Sequence, residues 1–258
     1  MYKIAFIDLD GTLLNSEKQM SEFDKNILLE ASKKINIVFA SARGFNRILP
    51  FIKEIDNVNK NSYTLAFNGS LLINNTEDFP LINNCINKDN LTLLLNWIYS
   101  LNLTEVYAYN YEKSKKLENE EILEEDIYKI VILENEEHIK KLREKIPHSI
   151  KQYFEITSSE KTRIEFVQKG MTKQQAISQL LDHLNIPSSE MIAIGDGEND
   201  ISMLKMAGLG IAMENASEEV KKHADIITDS NDDSGVGKIL KTILSLNLDK
   251  SPKEQLPT

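Results

Sequence analysis

The feature that most restricts what this chain can fold into is a series of short apolar runs, each ending abruptly in small and polar residues. Residues 2–7 run into Asp8, residues 35–39 into Ala40-Ser41-Ala42-Arg43, residues 63–67 into Asn68-Gly69, and residues 191–194 into Gly195-Asp196. Runs at 208–213 and 226–227 follow. Segments this short and this continuously apolar predict strands buried on both faces. Helical patterns separate them. One opens at Ser21, with Asp24 as capping partner and Ile27, Leu28 and Ala31 on one face. Another opens at Thr172, with Gln175 as the matching capping residue and Ala176, Ile177, Leu180, Leu181 and Leu184 behind it. This alternation predicts an α/β fold with a doubly wound parallel sheet covered by helices. Ligands in such sheets lie outside the carboxyl ends of the strands, where the polar clusters fall.

The middle of the chain has a different pattern. Residues 91–101 form a strongly apolar helical segment containing Trp97, and 106–109 are strand-like. A charged stretch at 112–126 predicts an exposed excursion. Strand-like 128–133, helical 136–145, and strand-like 150–156 and 163–167 come after it. Residues 80–165 are therefore expected to be an α+β unit inserted into a core made of 1–79 and 166–258. The tail after Lys250 is expected to fray.

Composition excludes several classes of function. The formal net charge of −10 argues against a nucleic-acid surface, which needs basic patches. A small anionic substrate remains compatible, because a few cations and a metal ion reverse the field inside a cleft. A single cysteine, Cys85, rules out an intramolecular disulfide and fits a reducing compartment. The first residues do not have the form of a signal peptide, and no apolar run approaches the roughly 18 residues of a membrane span. The expectation is a cytoplasmic protein without membrane partners, in which Asn90-Leu91-Thr92 is not a glycosylation site. Oligomeric state is left open between monomer and dimer.

Chemistry concentrates in four places. Asp8-Leu9-Asp10-Gly11 sets two carboxylates two residues apart at a strand end entering a glycine turn. They repel unless a proton or cation intervenes, although a solvated Asp-Gly turn is the simpler reading. Gly195-Asp196-Gly197-Glu198-Asn199-Asp200 is a second acidic loop, with Asp200 also placed to cap the helix that follows. Oxygen ligands without Cys or His point to Mg²⁺. Ser41 offers a hydroxyl and neighbouring amides to an anion, or else a helix cap. Lys173 opposes the dipole of its helix, a conflict that a bound phosphate would relieve, or else it extends into water.

Together, Asp8-Leu9-Asp10-Gly11-Thr12-Leu13-Leu14, Ser41-Ala42-Arg43, Lys173 and the 195–200 loop resemble the four ordered motifs of the haloacid dehalogenase superfamily. Asn68-Gly69-Ser70 and the stretch from Gly208 to Ala216 resemble its Cof-type subgroup, subfamily IIB. The resemblance spans the chain and implies a Rossmann-like core carrying a mobile cap at 80–165, with hinges near 80 and 165. It implies an Mg²⁺-dependent phosphatase of small phosphorylated metabolites. Asp8 would be the nucleophile, and Asp10 the acid that protonates the leaving alcohol and later activates water. Ser41, the Ala42 amide, Lys173 and Asn199 would hold the phosphoryl group. Asp8, Asp10 (through its backbone carbonyl), Asp196 and Asp200 would form the metal site. Two positions depart from the pattern: Ala42 replaces the usual glycine, and Gln174 replaces the glycine after the lysine. An Asp10 beside bound phosphate is expected to have a raised pKa.

Other readings fare less well. Gly235-Val236-Gly237-Lys238 lacks the earlier glycine and the Ser/Thr of a P-loop. A carbon–halogen hydrolase would lack Asp10. A sugar phosphomutase, or an idle regulatory or binding protein on the same fold, remains open. The resemblance implies sugar phosphates or cofactor phosphates such as flavin mononucleotide or pyridoxal phosphate. Tyr107, Tyr109, Tyr111 and Tyr128 are candidates for a cap face, and His138, His148, His183 and His223 are expected at the surface.

Overall fold

The structure is a computed structural model and describes residues 1–55, 62–76, 79–118, 124–158, 161–170 and 172–245. The tail after Lys250 and part of the 112–126 excursion lie outside the described residues. Two sheets organise the chain. The larger has eight strands in the order β13-β12-β11-β1-β2-β3-β4-β5. Its parallel part is formed by β1 (Ile4–Ile7), β2 (Asn36–Ala40), β3 (Tyr63–Ala66), β11 (Met191–Gly195), β12 (Leu209–Met213) and β13 (Ile226–Thr228). All of these pair in parallel, as expected. The edge was not anticipated: β4 (Leu71–Asn74) and β5 (Phe79–Asn83) add two antiparallel strands after β3. A short connection turns the chain straight back, so no crossover helix marks them in the sequence.

Strand alternation explains the continuous apolar runs. Ile4 and Phe6 face one helical layer, with Ala176, Ile177 and Leu180 of α6 (Lys173–Leu184) and Met203 and Leu204 of α7 (Ile201–Met206). Ala5 and Ile7 face the other, with Leu28 and Ala31 of α1 (Glu22–Ser32), Ile48 and Ile52 of α2 (Phe45–Ile55), and Leu240 and Ile243 of α9 (Gly235–Ser245). The expected caps form: Ser21 accepts from the Asp24 amide, and Thr172 and Gln175 make a reciprocal capping box.

The smaller, antiparallel sheet has five strands in the order β7-β6-β8-β10-β9. They are β6 (Val106–Tyr109), β7 (Ser114–Lys116), β8 (Lys129–Leu133), β9 (Phe154–Thr157) and β10 (Arg163–Gln168). Its strands alternate by face. Val106, Ala108, Ile130, Ile132, Ile164 and Phe166 pack on α3 (Lys88–Ser100) and α4 (Glu136–Lys145). The opposite face presents Tyr109, Lys129 and Glu165 to the larger sheet. The chain leaves the larger sheet after β5 and returns after β10, a few residues later at each end than positions 80 and 165. The strand expected at 150–156 begins instead as a helical turn, α5 (His148–Lys151), and becomes β9 only at Phe154. Pro147 at its N-cap, with a preset φ, starts that turn. α8 (Glu218–Lys221) completes the helices among the described residues.

Contacts tie the two sheets together. Phe67 stacks on Tyr128 with centroids 4.9 Å apart, Phe45 stacks on Tyr111 at 5.4 Å, and Lys129 Nζ donates to the Ala42 carbonyl at 2.8 Å. Among the described residues, no helix is long and apolar enough to cross a membrane.

Phe166 is the buried centre of the smaller unit's core, edge-on to both Trp97 and Phe154 at 6.1 Å. Phe166→Ala is expected to lower unfolding free energy by about 3–5 kcal/mol. Denaturant titration checks this; a loss below about 1 kcal/mol would show that the core collapses around the gap.

Candidate active site

Three parallel strands deliver the site because their registers align. Ile7 of β1 pairs with Ile194 of β11 and with Phe39 of β2, so Asp8, Asp196 and Ser41 emerge at nearly the same level. The Asp8 amide still donates to the Ile194 carbonyl at 3.0 Å, which holds the nucleophile candidate in register.

Gly11 makes the first loop possible. Its φ is +82°, and a Cβ there would stand 2.4 Å from Asp196 Oδ2. Only glycine allows the loop to pass so close to the second acidic group. Thr12, buried beside it, donates its hydroxyl to Asp196 Oδ1 at 2.6 Å. Asn215, after β12, donates to the Gly11 carbonyl at 2.7 Å and braces the same loop from the far side.

Lys173 is not a solvated lysine. It is only 2 % exposed, and its Nζ donates to Asp8 Oδ1 at 2.5 Å and to Asp200 Oδ1 at 2.6 Å. The first residue of a helix directs its side chain back past the N-terminus, which here means into the sheet mouth. Gly69, at φ +106°, lets the β3 loop approach so closely that a Cβ would sit 2.5 Å from the Thr172 carbonyl oxygen. Asp200 does not use its side chain to cap α7. Its Oδ2 accepts from the amides of Asp196 and Gly197 at 3.2 and 3.0 Å, so one buried carboxylate shapes the acidic loop and anchors the lysine.

Asp8, Asp196 and Asp200 each turn one oxygen into a common space, with those atoms within 4.8 Å of one another. Burial raises the Asp8 pKa far above the carboxylate range; Lys173 opposes this, while Asp200 and Asp196 reinforce it. Burial likewise pushes Asp196 up to about 6, against the Thr12 hydrogen bond and with Asp200 adding repulsion. Burial pulls the Lys173 pKa down, but the charges of Asp200 and Asp8 outweigh it and the ammonium is held firmly protonated. Three carboxylates against one lysine leave negative charge that a hard divalent cation would neutralise, so the donor set fits such an ion.

The Asp10 carboxylate stands apart from that cluster. It accepts Arg43 Nε at 2.6 Å and Arg43 Nη2 at 2.8 Å in a two-pronged pair, and Lys18 Nζ lies 3.0 Å away. Burial favours its neutral form, yet Arg43 and Lys18 outweigh burial and hold it at about 2. The expectation of a raised pKa concerned an Asp10 beside bound phosphate; here Arg43 and Lys18 hold the carboxylate instead. With its carboxylate engaged there, the part of Asp10 left for a metal is its backbone carbonyl.

Ser41 is buried, and its Oγ accepts the Arg43 amide at 3.1 Å. Ala42 does not have a positive φ, so alanine fits where glycine was expected. Phe67 and Asn68, both at positive φ, clamp this loop: their amides donate to the carbonyls of Arg43 and Ser41 at 2.9 and 3.1 Å. Asn199 Nδ2 donates to Asn68 Oδ1 at 3.2 Å, which draws Asn68 into the site.

Asp8, Asp10, Ser41, Asp196, Asn199 and Asp200 line a cavity of about 500 Å³ between the two sheets. Arg43, Lys18, Thr12, Arg47 and the smaller sheet's Lys129, Arg163 and Glu165 were not among the expected site residues. Only the alternation of 163–166, charged, apolar, charged, apolar, hinted that Arg163 and Glu165 share a face. Of the four tyrosines, Tyr109 alone lines the cavity, and none of the histidines does.

Fold and site together define a hydrolase built on an aspartate-rich mouth of a parallel sheet. The family model for haloacid dehalogenase-like hydrolases matches residues 5–116 and 105–240, and the chain belongs to that family. A putative phosphatase of Haemophilus influenzae is 30% identical, over 93% of this chain and 98% of its own. A Bacillus subtilis relative, named a 5-amino-6-(5-phospho-D-ribitylamino)uracil phosphatase, is also 30% identical, over 93% of this chain and 94% of its own. A haloacid dehalogenase-like hydrolase of Bacteroides thetaiotaomicron has the same fold, with a TM-score of 0.84, 28% identity, and coverage of 94% of this chain and 100% of that one.

A carboxyl whose pKa rises on folding costs stability above that pKa, and the cost vanishes as pH falls toward its ordinary value. For Asp196 the window runs from about 6 down to 3.8, about 3 kcal/mol at roughly 1.4 kcal/mol per pH unit. Without metal, Asp196→Asn is therefore expected to be more stable than wild type at pH 8 by up to that amount, and not at pH 4. Denaturant curves on both proteins, with and without divalent cation, check this. Parallel stabilities across that range would show that Asp196 is not strained.

Proposed function

We propose that the protein is an Mg²⁺-dependent phosphatase of small phosphorylated metabolites, working through an aspartyl-phosphate on Asp8. The observation that carries the reading is the convergence of Asp8, Asp196 and Asp200 on one cavity that Ser41 also lines, with the buried Lys173 bonded to Asp8 and Asp200. Asp8, Asp196, Asp200 and the Asp10 carbonyl would hold the ion, which supplies positive charge against the phosphoryl oxygens. Ser41, the Ala42 amide, Lys173 and Asn199 hold the phosphoryl group in line with Asp8.

The reaction runs in two displacements. An Asp8 oxygen forms a bond to phosphorus as the bond from phosphorus to the alcohol oxygen breaks, and Asp10 gives that oxygen a proton. Water, deprotonated by Asp10, then attacks phosphorus; the bond to Asp8 breaks and inorganic phosphate leaves. Asp10 must first be released from Arg43 and Lys18. The incoming phosphate dianion competes for both cations, which couples substrate binding to arming of the acid.

We assign the segment carrying the smaller sheet as a cap inserted near 80 and 165. Its opening admits substrate, and its closing keeps bulk water from the phosphoenzyme. The single, partly buried Cys85 supports a reducing cytoplasmic setting. Sugar phosphates and cofactor phosphates such as flavin mononucleotide or pyridoxal phosphate fit the reading, as does the phosphorylated substrate named for the Bacillus relative.

Wild type is expected to release phosphate from members of a metabolite panel in Mg²⁺, and Asp8→Asn to lose at least about a thousandfold in rate. Chelation should abolish release and added Mg²⁺ restore it. Equal rates for wild type and Asp8→Asn would remove Asp8 as nucleophile, and isomerisation without release would identify a mutase.

A further inference from the structure

The short turn after β3 touches three parts of the molecule at once. Phe67 and Asn68 both take positive φ, at 51° and 57°. After glycine, asparagine is among the residues that adopt this conformation most readily. The turn is wedged on every side: Gly69 lies against the Thr172 carbonyl, the Phe67 ring stacks on Tyr128, and the Asn68 backbone N–H donates to the Ser41 carbonyl. The Asn68 side chain is held in this turn at 4 % exposure, and its two ends meet different partners. Oδ1 accepts from Asn199 Nδ2 at 3.2 Å, and Nδ2 donates to Thr157 Oγ1, on β9 of the smaller sheet, at 3.4 Å. Asn199 lines the cavity, whereas Asn68 does not. The Asn199 oxygen is turned toward Gly197, where an added Cβ would stand 2.4 Å from it.

We propose that Asn68 is a positioning residue that ties Asn199 to Thr157, so that the hold of Asn199 on the phosphoryl group depends on the smaller sheet being seated. The inference rests on the phosphatase reading, which gives Asn199 to the phosphoryl group, and deepens it by naming what aims that residue. Donors run outward along the chain, from Asn199 through Asn68 to Thr157. In this direction Asn199 spends one N–H on Asn68, keeps its oxygen on the Gly197 side and leaves its other N–H for an anionic oxygen. Donation to Thr157 polarises the Asn68 amide and makes its oxygen a better acceptor for Asn199. When the smaller sheet withdraws, Asn68 loses that acceptor, and both amides lose a fixed orientation. A buried amide left half-paired is costly, so the three groups act together. Phosphate binding and seating of the smaller sheet then favour one another.

Two substitutions at Thr157 separate a hydrogen-bonding role from a packing role. Valine keeps the shape of threonine and removes the acceptor, whereas serine keeps the acceptor and removes the methyl group. Thr157 is half-buried and its backbone is held by Glu165 and Arg143, so both variants keep the fold. The full chain in Mg²⁺ is titrated with inorganic phosphate by calorimetry, and KM and kcat are measured on whichever metabolite it dephosphorylates. Thr157→Val is expected to weaken phosphate binding and raise KM about fivefold with kcat nearly unchanged, while Thr157→Ser stays within about twofold of wild type. Asn68→Gly, which suits the positive φ, should weaken binding about tenfold, and adding Thr157→Val to it should change nothing further. A normal valine variant beside an impaired serine variant would overturn the proposal, as would additive losses in the double variant. If Asn68→Gly does not fold, the valine and serine pair still decides. If the panel releases no phosphate while phosphate binding follows the expected order, the phosphatase reading fails and the positioning role stands. If phosphate is released and Thr157→Val matches wild type, the positioning role fails alone. Wild type that neither binds nor releases phosphate would remove both.

Discussion

The structure depends on one buried cation shared between two carboxylates from opposite ends of the chain. Lys173 has lost almost all contact with water, and what makes that tolerable is its pair of short bonds to Asp8 and Asp200. Its charge opposes the burial that raises the Asp8 pKa. The bond to Asp200 also fixes the acidic loop, because the other Asp200 oxygen holds the amides of Asp196 and Gly197. Strand β1, helix α6 and the loop after β11 therefore form one unit at the sheet mouth. The parallel registers bring these elements near each other, and the lysine sets their spacing.

Charge in this unit is distributed unevenly, and the unevenness is what allows chemistry. Asp8 and Asp196 are destabilised as anions, whereas Asp10, a few ångströms along the same loop, is held ionised by Arg43 and Lys18. Two carboxylates separated by one residue thus have opposite electrostatic environments. Under the proposed function, a cation entering the floor would relieve the first pair, and an anion entering above it would draw Arg43 and Lys18 from Asp10. Ground-state pairing and release of the acid would then be two ends of the same exchange.

The second sheet completes the enclosure. Its contacts with the first fall on the loops that make the site: Lys129 reaches the Ala42 carbonyl, Tyr128 stacks on Phe67, and Asn68 Nδ2 lies 3.4 Å from Thr157 Oγ1. The strained pair Phe67 and Asn68 sits at this junction, holding the Ser41–Arg43 backbone from below while the smaller sheet covers it. The position of the smaller sheet and the shape of the Ser41–Arg43 loop are in this way mechanically linked.

Much of this was legible in the sequence because it rests on local rules. Apolar runs with polar ends gave the parallel strands and the side of the sheet that carries the chemistry. Capping pairs at Ser21 and Thr172 marked helix starts, and the four ordered motifs supplied Asp8, Asp10, Ser41, Lys173, Asp196 and Asp200 with their family. What stayed hidden depends on partners far apart along the chain. The antiparallel edge of β4 and β5 has no crossover to announce it, and the turn at 148–151 sits inside an apolar pattern that also suits a strand. Nothing in the residues beside Asp10 tells that Arg43, thirty-three positions on, will grip its carboxylate and invert its pKa. Nor does composition tell that Arg47, Lys129 and Arg163 will line the same cavity. Periodicity and turn chemistry act between near neighbours, so sequence alone settles them. The ionisation of a carboxylate and the charge of a cavity wall are sums over everything within several ångströms, and only the folded chain decides what lies there.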